Sequence, residues 1–117
     1  MSEFTIYHNP RCSKSRQTLA LFEENGISPQ IVAYLKNIPS EAEIAILIAK
    51  LGIGARELMR KGEDAYKQNN LKDASLSEQQ LIAAMHTFPK LIERPIVVRG
   101  EHAVLGRPPE NILALID

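Results

Sequence analysis

The run Ile6-Tyr7-His8-Asn9-Pro10-Arg11-Cys12-Ser13-Lys14-Ser15-Arg16 carries the chain from a strand into a helix. The alternating apolar stretch Phe4 to Tyr7 reads as a short strand, and Asn9-Pro10 stops it. From about Ser15 the spacing turns helical, with Leu19, Leu21 and Phe22 as apolar positions. Cys12, the only cysteine, therefore stands where strand becomes helix. Unpaired N–H groups and the positive end of a helix stabilise a thiolate and attract anions. Arg11, Lys14 and Arg16 add positive charge. An inert buried cysteine is the competing reading; the basic, polar flank favours a nucleophile.

Working outward, the first helix runs from Ser15 to Asn25 and ends at Gly26, a left-handed cap. Gln30 to Tyr34 reads as a second strand, so the segment is a βαβ unit with a parallel strand pair. Ser40-Glu41-Ala42-Glu43 then opens an amphipathic helix to about Leu51, closed by Gly52. Ala55 to Met59 and Glu63 to Gln68 give shorter helical pieces. Ser77-Glu78-Gln79-Gln80 caps a helix reaching Thr87, and Pro89 forbids its continuation. Strands return at Ile96–Arg99 and Ala103–Leu105 around Gly100-Glu101-His102, and Glu110 to Ile116 supplies a last helix.

This order predicts an α/β, thioredoxin-like fold. It has a small mixed sheet and a helical insertion at about residues 40–88, between the βαβ and ββα halves. One domain over residues 1–117 is expected. Arg94-Pro95 occupies the place where such folds hold a cis-proline facing the active thiol.

Composition narrows the function. Lysine plus arginine, 14, equals aspartate plus glutamate, 14, so the chain has no bias toward nucleic acid or anionic membrane. No apolar run approaches the ~20 residues of a bilayer span. Met1-Ser2-Glu3 lacks the pattern of a secretory signal, and a single cysteine cannot form an internal disulfide. A cytoplasmic monomer is the expectation.

Absent residues also inform. The position three after Cys12 is Ser15, not a second redox cysteine, and the position six after is Thr18, not the arginine of a phosphatase loop. No metal-ligand spacing occurs, so no bound cofactor or metal is expected. The lone thiol must borrow electrons, or a resolving thiol, from outside. His8 could tune Cys12 or orient its loop, or could simply bond to backbone; His86 and His102 read as surface residues. Arg94 and Arg107 lie at the two proline-marked ends of the hairpin, which this fold should bring near the thiol, and Arg60 lies in the helical segment. A guanidinium suits a tetrahedral oxyanion because it donates two parallel hydrogen bonds and keeps its charge. Solvated surface charge is the plain alternative for each.

Across essentially its whole length the chain resembles the glutaredoxin-coupled arsenate reductase family, in its short cytoplasmic branch. The anchors are Tyr7 to Arg16, Arg56-Glu57-Leu58-Met59-Arg60, Glu93-Arg94-Pro95-Ile96-Val97-Val98 and Gly106-Arg107-Pro108-Pro109-Glu110. Where some members read Ala-Cys-Gly-Thr-Ser, this chain has Arg11-Cys12-Ser13-Lys14-Ser15. The resemblance implies that Cys12 is the nucleophile and that Arg60, Arg94 and Arg107 hold arsenate and its thiol adducts. His8 would modulate the thiolate and Ser15 would assist it by hydrogen bonding. It further implies glutathione as co-substrate and glutaredoxin as the protein reductant. Two other readings share the fold. One is a glutathione-dependent thiol reductase with another substrate; the other is an Spx-like regulator that binds RNA polymerase.

Overall fold

The computed structural model describes residues 3–116. They fall into two compact units, one formed by the chain up to Asn37 and from Arg94 onward, the other by Ile38–Glu93.

The first unit holds a four-stranded mixed sheet in the order β2-β1-β3-β4, the thioredoxin-like layout. β1 (Phe4–Tyr7) leads through α1 (Ser13–Glu24) to β2 (Gln30–Val32), which pairs with β1 in parallel. β3 (Ile96–Arg99) runs antiparallel to β1, with Ile6 opposite Val97. β4 (His102–Leu105) pairs antiparallel with β3. The turn between them has only two residues, because Arg99 pairs with His102. Gly100, at its first position, takes φ 60°, the left-handed value a two-residue hairpin loop needs there.

Alternation in β1 puts Phe4 and Ile6 into a core with Phe22 of α1, Val97 of β3 and Ile112. Burying each such side chain contributes about 1.5–3 kcal/mol. The Phe4 and Phe22 rings meet edge to face at 5.3 Å, and the Arg99 guanidinium lies 4.9 Å above the Phe4 ring. This packing holds α1 against the sheet, so the loop 8–12 emerges at the C-terminal end of β1.

The second unit comprises α2 (Glu41–Leu51), α3 (Ala55–Leu58), α4 (Asp64–Gln68), α5 (Glu78–Thr87) and a 3₁₀ turn at Pro89–Leu91. α2 packs on α5 and α3, and α5 also packs on α3 and the 3₁₀ turn. The Ser40 hydroxyl accepts from the Glu43 N–H at 3.1 Å, and Gly52 closes α2 at φ 71°. Ser77 and Gln80 satisfy each other's N–H groups at the start of α5, at 3.1 and 2.7 Å. Ala55 N–H, at the start of α3, donates to the Glu78 carboxylate at 2.8 Å. Among the described residues no helix is long and apolar enough to cross a membrane.

Several boundaries differ from the sequence reading, by one residue at the ends of α1, α3 and α4 and more informatively elsewhere. α1 begins at Ser13, two residues early, because Ser13, Lys14 and Ser15 carry no apolar periodicity to mark the helix start. β2 stops at Val32, opposite the last residue of β1, and the chain then turns with Asn37 N–H on the Ala33 carbonyl at 2.8 Å. β4 starts one residue early, at His102. The last helix is a 3₁₀ segment at Pro109–Ala114, its turns closed by i→i+3 bonds such as Asn111 N–H to the Pro108 carbonyl at 3.0 Å and Leu115 N–H to the Ile112 carbonyl at 2.9 Å.

Candidate active site

The site grows from the loop that Asn9 and Pro10 cut between β1 and α1. The Asn9 side-chain oxygen accepts from Arg11 N–H at 3.0 Å, an Asx turn, and its carbonyl accepts from Cys12 N–H at 3.0 Å. Asn9 N–H donates to the buried Ser15 hydroxyl at 3.3 Å. Arg16 closes the outside of the loop by donating to the Pro10 carbonyl at 2.9 Å. Cys12 is thereby fixed as the N-cap of α1, with extended backbone (φ −92°, ψ 124°) and its carbonyl accepting from Arg16 N–H at 3.1 Å.

The hairpin delivers two guanidiniums to this thiol. Continuing the β3–β4 register outward sets Pro95 opposite Gly106, and Gly106 N–H donates to the Pro95 carbonyl at 2.9 Å. One step further, Arg94 and Arg107 stand opposite each other. Arg107 Nη1 donates to the Arg94 carbonyl at 3.1 Å and lies 3.8 Å from Cys12 Sγ. The Arg94-Pro95 peptide is cis, as the sequence placement leads one to expect, and the Arg107-Pro108 peptide is cis as well.

Burial alone would push the Cys12 thiol up. The Ser15 N–H, the hydrogen bond and charge of Arg94, and the Lys14 N–H outweigh it and bring the pKa down to about 7. The first turn of α1 carries no acidic residue, while Arg11, Lys14 and Arg16 surround the thiol in sequence. A group with this pKa is substantially ionised at neutral pH, and the same N–H groups and guanidiniums can receive a tetraoxo anion.

The remaining candidates take distinct positions. His8 is buried, its N–H donates to the Val32 carbonyl at 2.9 Å, and its Nδ1 has no hydrogen-bond partner among the described residues. Burial, and secondarily the charge of Arg16, lower its pKa, which keeps the imidazole neutral. Ser15 reaches the thiol through its backbone N–H, whereas its hydroxyl accepts from Asn9. Arg60 belongs to the helical unit, where its guanidinium pairs with Glu93 at 2.7 Å and Glu63 at 3.3 Å. His86, exposed, has its Nδ1 2.8 Å from the Pro39 carbonyl, and His102 is exposed.

Sequence reasoning passed over Thr18 and Gly106, both buried behind the arginines. Thr18 was legible only as a non-arginine, and Gly106 only as turn punctuation.

The thioredoxin-like sheet thus carries a cysteine with a lowered pKa at a helix N-cap and two hairpin arginines beside it. The chain matches the ArsC family over residues 7–115 and belongs to that family. It is 47% identical over 112 residues to an arsenate reductase of Haemophilus influenzae, spanning 95% of this chain and 97% of that protein. It is 55% identical over 112 residues to the uncharacterized protein YfgD of Escherichia coli K12, spanning 95% and 94%. A solved arsenate reductase from Vibrio cholerae shares 52% identity and a TM-score of 0.94, with 97% of each chain covered.

Proposed function

We propose that this protein is an arsenate reductase that uses Cys12 as nucleophile, with glutathione and glutaredoxin as external reductants. The observation that carries the reading is a lone thiol of pKa about 7 with Arg107 Nη1 3.8 Å from its sulfur and Arg94 hydrogen-bonded to it. The family and its arsenate reductase members supply the substrate.

Arsenate docks as an anion against Arg94, Arg107 and the N–H groups opening α1. Cys12 thiolate attacks As(V) and one hydroxyl departs as water, its charge met by the same donors. The glutathione thiol displaces a second hydroxyl as water, leaving arsenic at the same oxidation state. A glutaredoxin thiolate then attacks the glutathione sulfur and removes it as a mixed disulfide. The electron pair of the broken As–S bond stays on arsenic, giving As(III), and hydrolysis releases arsenite and the free thiol. Because Cys12 leaves the cycle as a free thiol, the two electrons come from the two outside thiols. The role of Arg60 in holding the anion rests on the family pattern alone.

The test is arsenite formation from arsenate by purified protein with glutathione and glutaredoxin. Expected are turnover by the wild type, none by Cys12→Ser, and none when either thiol reductant is omitted. Absence of Cys12-dependent arsenite ends the reading.

A further inference from the structure

We propose that Gly106 and Thr18 are positioning residues: the bare face of Gly106, seated on the Thr18 hydroxyl and the Pro95 ring, sets how closely Arg94 and Arg107 stand to Cys12 Sγ. Gly106 does not have the positive φ that marks the turn glycines of this chain. It is glycine for room. A Cβ there would lie 2.6 Å from Thr18 Oγ1 and 2.7 Å from Pro95 Cγ, distances no real Cβ tolerates. Thr18 could rotate its hydroxyl aside, but only by giving up its 2.8 Å bond to the Lys14 carbonyl; the Gly106 carbonyl lies 3.5 Å away as a second acceptor. The proline ring has no such escape, being part of the backbone and buried.

The connection to the thiol is short and covalent at both ends. Gly106 precedes Arg107, Pro95 follows Arg94, and the 2.9 Å bond from Gly106 N–H to the Pro95 carbonyl locks the two strands together just behind the guanidiniums. Thr18 stands on the helix whose N-cap is Cys12 and whose second residue, Lys14, accepts the Thr18 hydroxyl. The contact therefore ties the arginine-bearing hairpin to the cysteine-bearing helix. A methyl group inserted there has to push one away from the other, and Arg107, the next residue, moves with it.

The proposal rests on Cys12 being the working thiol, but its readout contains no arsenate: the pH dependence of Cys12 alkylation by iodoacetamide. The charged and titratable groups of this unit around the thiol, namely Arg94, Arg107, Arg11, Lys14, Arg16 and His8, stay unaltered in every variant. Gly106→Ala is expected to raise the alkylation midpoint by about one pH unit, cutting the thiolate fraction at pH 7 about fivefold. Thr18→Val, which replaces the hydroxyl by a bulkier methyl, should move it the same way by less, and Thr18→Ser should restore it. Gly26→Ala serves as control. It strains a helix cap at φ 68° with nothing within 4 Å, so it should lower stability and leave the midpoint in place. A folded Gly106→Ala with the wild-type midpoint overturns the proposal. Should Gly106→Ala fail to fold, an unshifted Thr18→Val does so. Absence of arsenate reduction by the wild-type protein, with the Gly106→Ala and Thr18→Val midpoint shifts present, would count against the functional reading instead.

Discussion

Replacing Arg94 by alanine probes how the thiolate is held. Its guanidinium opposes the burial cost of the Cys12 anion by a hydrogen bond and by charge. A hydrogen bond to an ionised group is worth about 1.5–3 kcal/mol, and solvent reaching the partly open thiol trims this to roughly 1.4 kcal/mol. That is about one pKa unit. The wild-type midpoint of about 7 should move to near 8 by that estimate, and the thiolate at pH 7 should fall from half to about one tenth. A more basic thiolate is also intrinsically more nucleophilic, by about threefold per unit. The alkylation rate at pH 7 should thus drop only about twofold, while the high-pH plateau rises about threefold. Stopped-flow or mass-spectrometric alkylation from pH 5 to 10 records both. Midpoint up and plateau up together identify loss of thiolate stabilisation. A folded Arg94→Ala whose midpoint stays at the wild-type value refutes the reasoning.

Three further outcomes follow from the same geometry. Ser15→Ala removes the acceptor of the buried Asn9 N–H and should cost about 1–3 kcal/mol in urea unfolding. It should leave the alkylation midpoint nearly unchanged, because the Ser15 N–H serves the thiol; a large midpoint shift would mean that the hydroxyl acts directly. Arg60→Ala breaks the pairs to Glu63 and Glu93, whose side chains are about one-quarter exposed, and should destabilise by about 1 kcal/mol in urea unfolding. An unchanged unfolding free energy would show that these pairs contribute nothing to stability. His8 has its pKa lowered in the fold, chiefly by burial, so the unfolded chain takes up a proton first as pH falls. Its contribution to stability is full above the ordinary histidine value of about 6.5 and is lost as pH drops through that value toward the lower folded one. His8→Asn should therefore flatten the stability profile between pH 7.5 and 5, measured by urea unfolding, and an identical slope would contradict this.

What the sequence made legible was whatever local chemistry writes into short spans. Ser40 and Ser77 announce helix starts because a hydroxyl followed three residues on by a long acceptor or donor can serve only there. Gly26 and Gly52 announce helix ends because they take the left-handed φ such ends require. The thioredoxin-like layout, with prolines marking both ends of the hairpin, led to expecting Arg94 and Arg107 near the thiol; spacing alone left each readable as a surface charge. Long-range packing left no such mark. The fit of Gly106 against Thr18 spans 88 residues and depends on the space between a helix and a turn, which no spacing rule encodes. Ser15 was legible as a polar residue near the cysteine, but which of its atoms faces the sulfur is decided by the Asx turn at Asn9.

The most direct test is a crystal structure of the protein soaked in arsenate, with the arsenic located from its own anomalous signal. The account predicts one arsenic site, bonded to Cys12 Sγ and hydrogen-bonded through its oxygens to both Arg94 and Arg107. Arsenic bound away from that sulfur, or at the sulfur with neither guanidinium in contact, would contradict it.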